Sequence, residues 1–213
     1  MPKPKLDLVH CFVPASAPRP ANTLLLLHGG DEDEQTPIPL GQSLAPGAAL
    51  LSPRGPVLEG DKPRFYRRHA DRSGDVGDLK AHTHALADFV RAAAATYDLD
   101  PARIVVVGFS NGANLAVSLL WLRPETVAAA VLFRPIMPLE LERRPDLRGM
   151  PVLVAAGTRD RVVAPEEPAR LARALAAAGA DVVTHWQDAE HPIGPEEISV
   201  AREWLLRSRL RRH

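Results

Sequence analysis

Ile104-Val105-Val106-Val107 and Leu24-Leu25-Leu26-Leu27 contain no polar residue at all. A strand with one face in water alternates apolar and polar residues, so unbroken runs mark strands covered on both faces, as in parallel sheets flanked by helices. Comparable segments at residues 6–13, 23–28, 48–52, 103–108, 127–133, 152–157 and 181–186 make seven strand candidates. Between them the period lengthens. Leu79, His82, Leu86, Phe89, Val90 and Ala93 recur at helical spacing, with Asp78, Asp88 and Arg91 on the rest of that helical surface. Similar patterns cover residues 111–122, 165–178 with Gly179 as a stop signal, and 195 to about 207. Strands alternating with amphipathic helices predict an α/β fold with a mostly parallel central sheet and helices on both faces.

With 213 residues, the whole chain, 1–213, reads as one domain with no large cap. The long stretch without period is 53–77, which carries Arg54, Arg64, Phe65, Tyr66, Arg67, Arg68 and Arg72. Long aperiodic loops are often functional. Basic and acidic residues balance at 26 each, so no positive field draws in nucleic acid, and none is expected as a partner. Cys11 stands alone, which excludes an intramolecular disulfide and a cysteine-built metal site. The leucine run at 24–27 is too short to span a bilayer, and the N-terminus lacks a cleavable apolar leader pattern. The expected setting is therefore cytoplasmic, without a membrane partner.

Gly108-Phe109-Ser110-Asn111-Gly112 follows the apolar run 104–107 and opens the helical pattern 111–122. G-x-S-x-G at a strand-to-helix turn lifts a serine hydroxyl off the sheet, and the glycines let crossing backbones meet without a Cβ. Serine at its free pKa is a poor nucleophile, so it needs a base within hydrogen-bond reach and a third group to orient that base. The order for this arrangement is Ser, acid, His. After Ser110 come His185, inside a strand candidate, His191, and the terminal His213, which leaves His191 as base. Asp160 follows the buried run 151–157, at the carboxyl edge where α/β sites form, and is the expected acid; Asp181 and Asp188 are the competitors.

The tetrahedral intermediate needs two backbone donors. Asn111, next after the nucleophile, supplies one, and Gly30 in His28-Gly29-Gly30-Asp31 is expected to supply the other. Phe65 and Tyr66, with Ile136 and Met137 in Arg134-Pro135-Ile136-Met137, are expected to wall the substrate pocket.

Taken together, Leu27-His28-Gly29-Gly30-Asp31-Glu32, Pro53-Arg54-Gly55, Phe65-Tyr66-Arg67-Arg68, Gly108-Phe109-Ser110-Asn111-Gly112-Ala113-Asn114, Gly157-Thr158-Arg159-Asp160 and His191-Pro192-Ile193 resemble the phospholipase/carboxylesterase family of α/β hydrolases, related to dienelactone hydrolases and acyl-protein thioesterases. The resemblance implies the α/β-hydrolase fold, short-chain carboxylesterase activity on a small-molecule ester without any cofactor, and a homodimer as a common assembly. Relatives often have a longer spacing after the His-Gly pair, which keeps Asp31 open as the second oxyanion donor. They also often carry Gly before the histidine, where this chain has Glu190.

Other readings stand beside this one. Asp31, Glu32, Asp33 and Glu34 could ligate a cation through oxygen, but adjacent carboxylates usually face water, so no metal is expected. His82 and His84 lie two apart and share no helical face, which excludes a zinc pair there. A lysophospholipase, an acyl-protein thioesterase, or a catalytically silent small-molecule receptor on the same fold are the alternatives. A dienelactone-type activity would normally call for cysteine as nucleophile, and serine at 110 favours ordinary esters or thioesters.

Overall fold

The computed structural model describes residues 6–16, 22–71 and 73–208, so Arg72 and His213 lie outside the described residues. In chain order the strands are β1 (His10–Val13), β2 (Thr23–Leu27), β3 (Ala49–Pro53), β4 (Val57–Glu59), β5 (Lys62–Arg64), β6 (Ile104–Phe109), β7 (Ala129–Phe133), β8 (Pro151–Gly157) and β9 (Asp181–Gln187). The helices are α1 (Ile38–Leu44), α2 (Val76–Tyr97), α3 (Asn111–Leu122), α4 (Glu166–Ala177) and α5 (Pro195–Arg207). Seven strands form one sheet in the order β1-β3-β2-β6-β7-β8-β9. β1 runs antiparallel to β3, and every other neighbouring pair is parallel.

The apolar runs divide by residue parity between the two faces. Leu24, Leu26, Val105, Val107, Val131 and Phe133 pack into one core with Leu44 of α1 and with Ala201 and Leu205 of α5. Leu25, Leu27, Val106 and Leu132 join the opposite core, with Phe89 of α2, Leu115 of α3 and Leu171 of α4. Both faces are thus dry, which is why these strands could not alternate. β9 at the sheet edge has no fully buried residue, and its Val183 and Trp186 are exposed.

Three local features depart from the sequence reading. β1 is shorter than the candidate at 6–13. α1 had no expectation at all: it has seven residues, with prolines at 37 and 39, too few for a period to register. Its Gly41 lies so close to the sheet that a Cβ would come within 2.7 Å of the Leu26 side chain. The stretch 53–77, expected as aperiodic loop, contains the β4–β5 hairpin, with Glu59 paired to Lys62 across Gly60-Asp61. Gly60 supplies the positive φ of 68° that such a two-residue turn requires. Three-residue strands are too short for alternation to be read.

Candidate active site

β6 ends and α3 begins around Ser110, whose backbone sits at φ 49° and ψ −110°. Its N–H donates to the Phe133 carbonyl of β7 at 2.9 Å, and its carbonyl accepts the Asn114 N–H at 3.0 Å. The glycines of the motif are required by contact. A Cβ on Gly112 would stand 2.2 Å from the Leu27 carbonyl oxygen, and one on Gly108 would stand 2.7 Å from the Ala113 Cα. The tight crossing holds the Ser110 side chain above the carboxyl edge of the sheet.

His191, in the loop between β9 and α5, reaches Ser110 Oγ with Nε2 at 3.0 Å and Asp160 Oδ2 with Nδ1 at 2.8 Å. These partners assign the tautomer: Nδ1 donates to the carboxylate, and Nε2 is the acceptor facing the hydroxyl. The Phe109 ring lies against the imidazole with centroids 5.2 Å apart. Asp160 follows β8, and its Oδ1 accepts the N–H groups of Val162 (2.7 Å) and Val163 (3.0 Å). Burial pushes the Asp160 carboxyl up, but the Val163 N–H, His191 and the Val162 N–H together outweigh it and hold the group below the usual carboxylate range. Asp188 instead pairs with Arg159 at 2.7 Å on the exposed surface, and Asp181 is exposed at the start of β9. Glu190 turns its own side chain to solvent.

The loop after β2 is held by its own groups. His28 Nδ1 donates to the Gly29 carbonyl at 2.7 Å, its Nε2 accepts the Gly55 N–H at 2.9 Å, and its ring packs on Phe65 at 4.4 Å. Burial lowers the His28 pKa, in keeping with a neutral ring that both donates and accepts. Glu32 takes the Gly29 N–H at 2.7 Å, which removes that group as an oxyanion donor. Gly30 follows with Arg64 packed over it, so closely that a Cβ there would meet Nη1 at 2.5 Å. Asp31 is exposed at φ 69°, its carboxylate paired with Lys62 at 3.2 Å. Asn111 is the first residue of α3, where a helix leaves its N–H without an intrahelical partner.

The acidic run 31–34 does not converge. Asp31 faces Lys62, Glu32 faces Gly29, Asp33 accepts from Gln35 and Thr36, and buried Glu34 pairs with Arg54. Among the described residues no group of three His, Cys, Asp or Glu is gathered to hold a metal. The described arginines of 53–77 are similarly engaged: Arg54 with Glu34, Arg64 with Glu59 and Asp31, Arg67 with Asp78, Arg68 with Glu59. Asp78, which lies off the apolar stripe of α2, is buried under Arg67, whose N–H and guanidinium both bond it.

A cleft of about 540 Å³ opens beside His191, lined by Pro37, Leu40, Phe109, Ile193 and Ile198 among others. None of Phe65, Tyr66, Ile136 and Met137 lines it. Phe65 and Tyr66 are buried in the core and hold the elbow from below: the Phe65 N–H donates to Asn111 Oδ1 at 2.9 Å, and the Tyr66 hydroxyl accepts from Asn114 at 3.1 Å. Ile136 and Met137 are half-buried, and the Ile136 N–H donates to Asn114 Oδ1 at 3.0 Å. An aromatic in a long loop is as fit for the core as for a pocket wall, and the sequence does not separate the two. Sequence reasoning also overlooked Asn114 and the buried pair Arg134–Glu197 behind Asp160. The available signal was a charged residue, Arg134, ending a wholly apolar strand.

A profile of the dienelactone hydrolase family matches residues 63–195. A Bacillus subtilis (strain 168) protein described as a hydrolase, MhqD, is 40% identical over 183 residues, covering 86% of this chain and 92% of that protein. The crystal structure of the Bacillus cereus carboxylesterase superposes with a TM-score of 0.91 at 36% identity, covering 95% of both chains. A carboxylesterase from Mesorhizobium loti does so at 0.83 and 34% identity, over 89% of this chain and 90% of that one. Among the described residues no helix is long and apolar enough to cross a membrane. The chain belongs to the dienelactone hydrolase family and is a hydrolase with the α/β-hydrolase fold.

Proposed function

We propose that this hydrolase cleaves short-chain carboxylic esters through an acyl-enzyme on Ser110, with His191 as general base and Asp160 as its orienter. The observation that carries this reading is the unbroken line from Ser110 Oγ through His191 to Asp160, with steps of 3.0 and 2.8 Å, at a strained strand-to-helix turn. In the reaction the Ser110 oxygen bonds to the ester carbonyl carbon as its proton passes to His191 Nε2. The carbonyl oxygen gains the charge and is met by the N–H of Asn111 and a second N–H from Gly30. Collapse breaks the ester C–O bond, and the imidazolium returns its proton to the leaving alcohol. Water then attacks the acyl-enzyme by the same sequence, releasing the acid and restoring the serine. Asp160, held ionised by its hydrogen bonds, stabilises the imidazolium formed midway.

The test is labelling with an organophosphate followed by peptide mass spectrometry, paired with kinetics of Ser110→Ala. The adduct is expected on Ser110, and kcat in the folded variant should fall on the order of 10⁴-fold or more. Label on another residue, or retained turnover, overturns the mechanism.

A further inference from the structure

Arg134 follows β7 with its side chain fully buried and its backbone in the left-handed region at φ 56°. A guanidinium out of water costs several kcal/mol unless it is paired and hydrogen-bonded. Here its donors are distributed over several elements. Nη1 pairs with Glu197 Oε1, and Nη2 donates to Glu197 Oε2 at 2.9 Å. Nη2 also donates to the Pro192 carbonyl at 3.1 Å and the Glu190 carbonyl at 3.0 Å, and Nε reaches the same Glu190 carbonyl at 3.2 Å. From the same edge Nε stands 3.6 Å from Asp160 Oδ2. The backbone carbonyls on either side of His191 therefore converge on a single planar cation that also faces the carboxylate His191 bonds. Glu197, fully buried in the first turn of α5, additionally accepts the Gly194 N–H at 2.9 Å and so ties the end of the His191 loop to the same pair.

We propose that Arg134 is a positioning residue for the reaction, one guanidinium holding the His191 loop and the Asp160 carboxylate in common register with Glu197 as its counter-ion. The inference rests on the reading of Ser110, His191 and Asp160 as the reacting line. Arginine suits the task because its five donors lie in one plane, whereas an ammonium reaches its partners from a single point. A non-glycine residue at positive φ persists where its surroundings over-determine it, and six contacts from one side chain do so here. The charged groups around the imidazole are Asp160 at Nδ1, Arg134 behind that carboxylate, and Glu32 from the loop after β2.

Two variants test this. Arg134→Lys keeps the charge and the backbone angle but loses the fork. Arg134→Met combined with Glu197→Gln removes the ion pair together, leaving no lone buried charge, while glutamine can still accept the Gly194 N–H. The first readout is the NMR resonance of the His191 Nδ1 proton, recorded without substrate; the second is kcat and KM on a p-nitrophenyl ester. In variants that melt near the parent temperature the resonance is expected to broaden away, with kcat falling about 10²-fold and KM moving far less, as for a reacting group misplaced by about an ångström. A resonance that stays sharp overturns the proposal whatever kcat does. So does loss of activity that merely tracks the unfolded fraction in both variants. A lost resonance with unchanged kcat supports Arg134 as the group that places His191, and overturns the reading of that histidine as the base.

Discussion

Glu32 is a carboxylate at the rim of the His191 cleft, and its environment gives it a sign that can be checked. Burial pushes its carboxyl above the ordinary range, against the Gly29 N–H, while Asp33 and Asp31 push it further and His191 draws it back. A raised folded value means the folded chain binds that proton more tightly than the unfolded chain. Ionised Glu32 therefore costs stability at neutral pH, and the cost is relieved as pH falls through the raised value. Asp160 has the opposite sign: its depressed value contributes stability above the ordinary carboxylate range that is lost as pH falls through the folded value. Glu32→Gln keeps an acceptor for the Gly29 N–H and removes the charge. It is expected to melt slightly higher than the parent at neutral pH, with the advantage shrinking as pH falls through the raised value of Glu32. A Tm that is unchanged or lower at neutral pH removes the cost assigned to the ionised carboxylate. Ser110, Asp160 and His191 could be picked out in the sequence because each sits just past a recognisable strand, and the structure brings the three within hydrogen-bond reach; their roles are the proposal above. Arg134 and Glu197 were not paired from the sequence: a charged residue just after the apolar run 129–133 was visible, but its partner lies 63 residues along the chain, beyond any local pattern.

At the scale of elements, the strands were readable for one physical reason and the missed pieces were missed for another. Strands buried on both faces must be apolar throughout, and β2, β6, β7 and β8 announce themselves that way. α1 and the β4–β5 hairpin depend on turn geometry and on contacts far along the chain, which no short window contains. Two glycines separate these effects. At Gly112 an added Cβ meets the backbone oxygens of Leu27 and His28 at 2.2 and 2.5 Å, and backbone cannot swing aside as a side-chain end can. At Gly60, φ 68°, an added Cβ meets nothing within 4 Å, so the cost is conformational alone. Gly60→Ala is therefore expected to cost about 1–2 kcal/mol, lowering Tm by roughly 2–4 °C per kcal/mol for a chain of this size. Gly112→Ala should cost more than that and abolish esterase activity, because α3 must retreat from β2 and take Ser110 with it. Thermal unfolding of both variants checks the order, and an equal or reversed order shows that the elbow is not limited by close approach.

For the whole molecule, substrate range follows from what covers the carboxyl edge of the sheet. No domain is inserted between the described strands, and the longest connection, 53–77, is tied down by Arg54–Glu34, Arg67–Asp78 and Arg68–Glu59. Fastened by those charge-assisted contacts to Glu34 in the loop after β2, to α2 and to its own hairpin, the segment is held in place rather than free to close as a lid. The cleft beside His191, about 540 Å³, falls within the usual size of a small-molecule site; Val107 and Phe109 of β6 are among the residues that line it, and Ser110 is not. Leu40 and Ile198 line it from α1 and α5, and those two helices pack on each other, which bounds the cleft on that side. An acyl chain entering such a space gains about 1–3 kcal/mol in transition-state binding for each methylene that fits, and nothing once it meets the wall. Measured as kcat/KM on p-nitrophenyl acetate through palmitate, below micelle-forming concentrations, efficiency is expected to peak at about four carbons or fewer. Leu40→Phe, which narrows the cleft from the α1 side, should move the peak to shorter chains while leaving organophosphate labelling of Ser110 intact. Efficiency that climbs steadily to palmitate would instead place the acyl group outside this cleft and turn the assignment toward a lysophospholipase or an acyl-protein thioesterase.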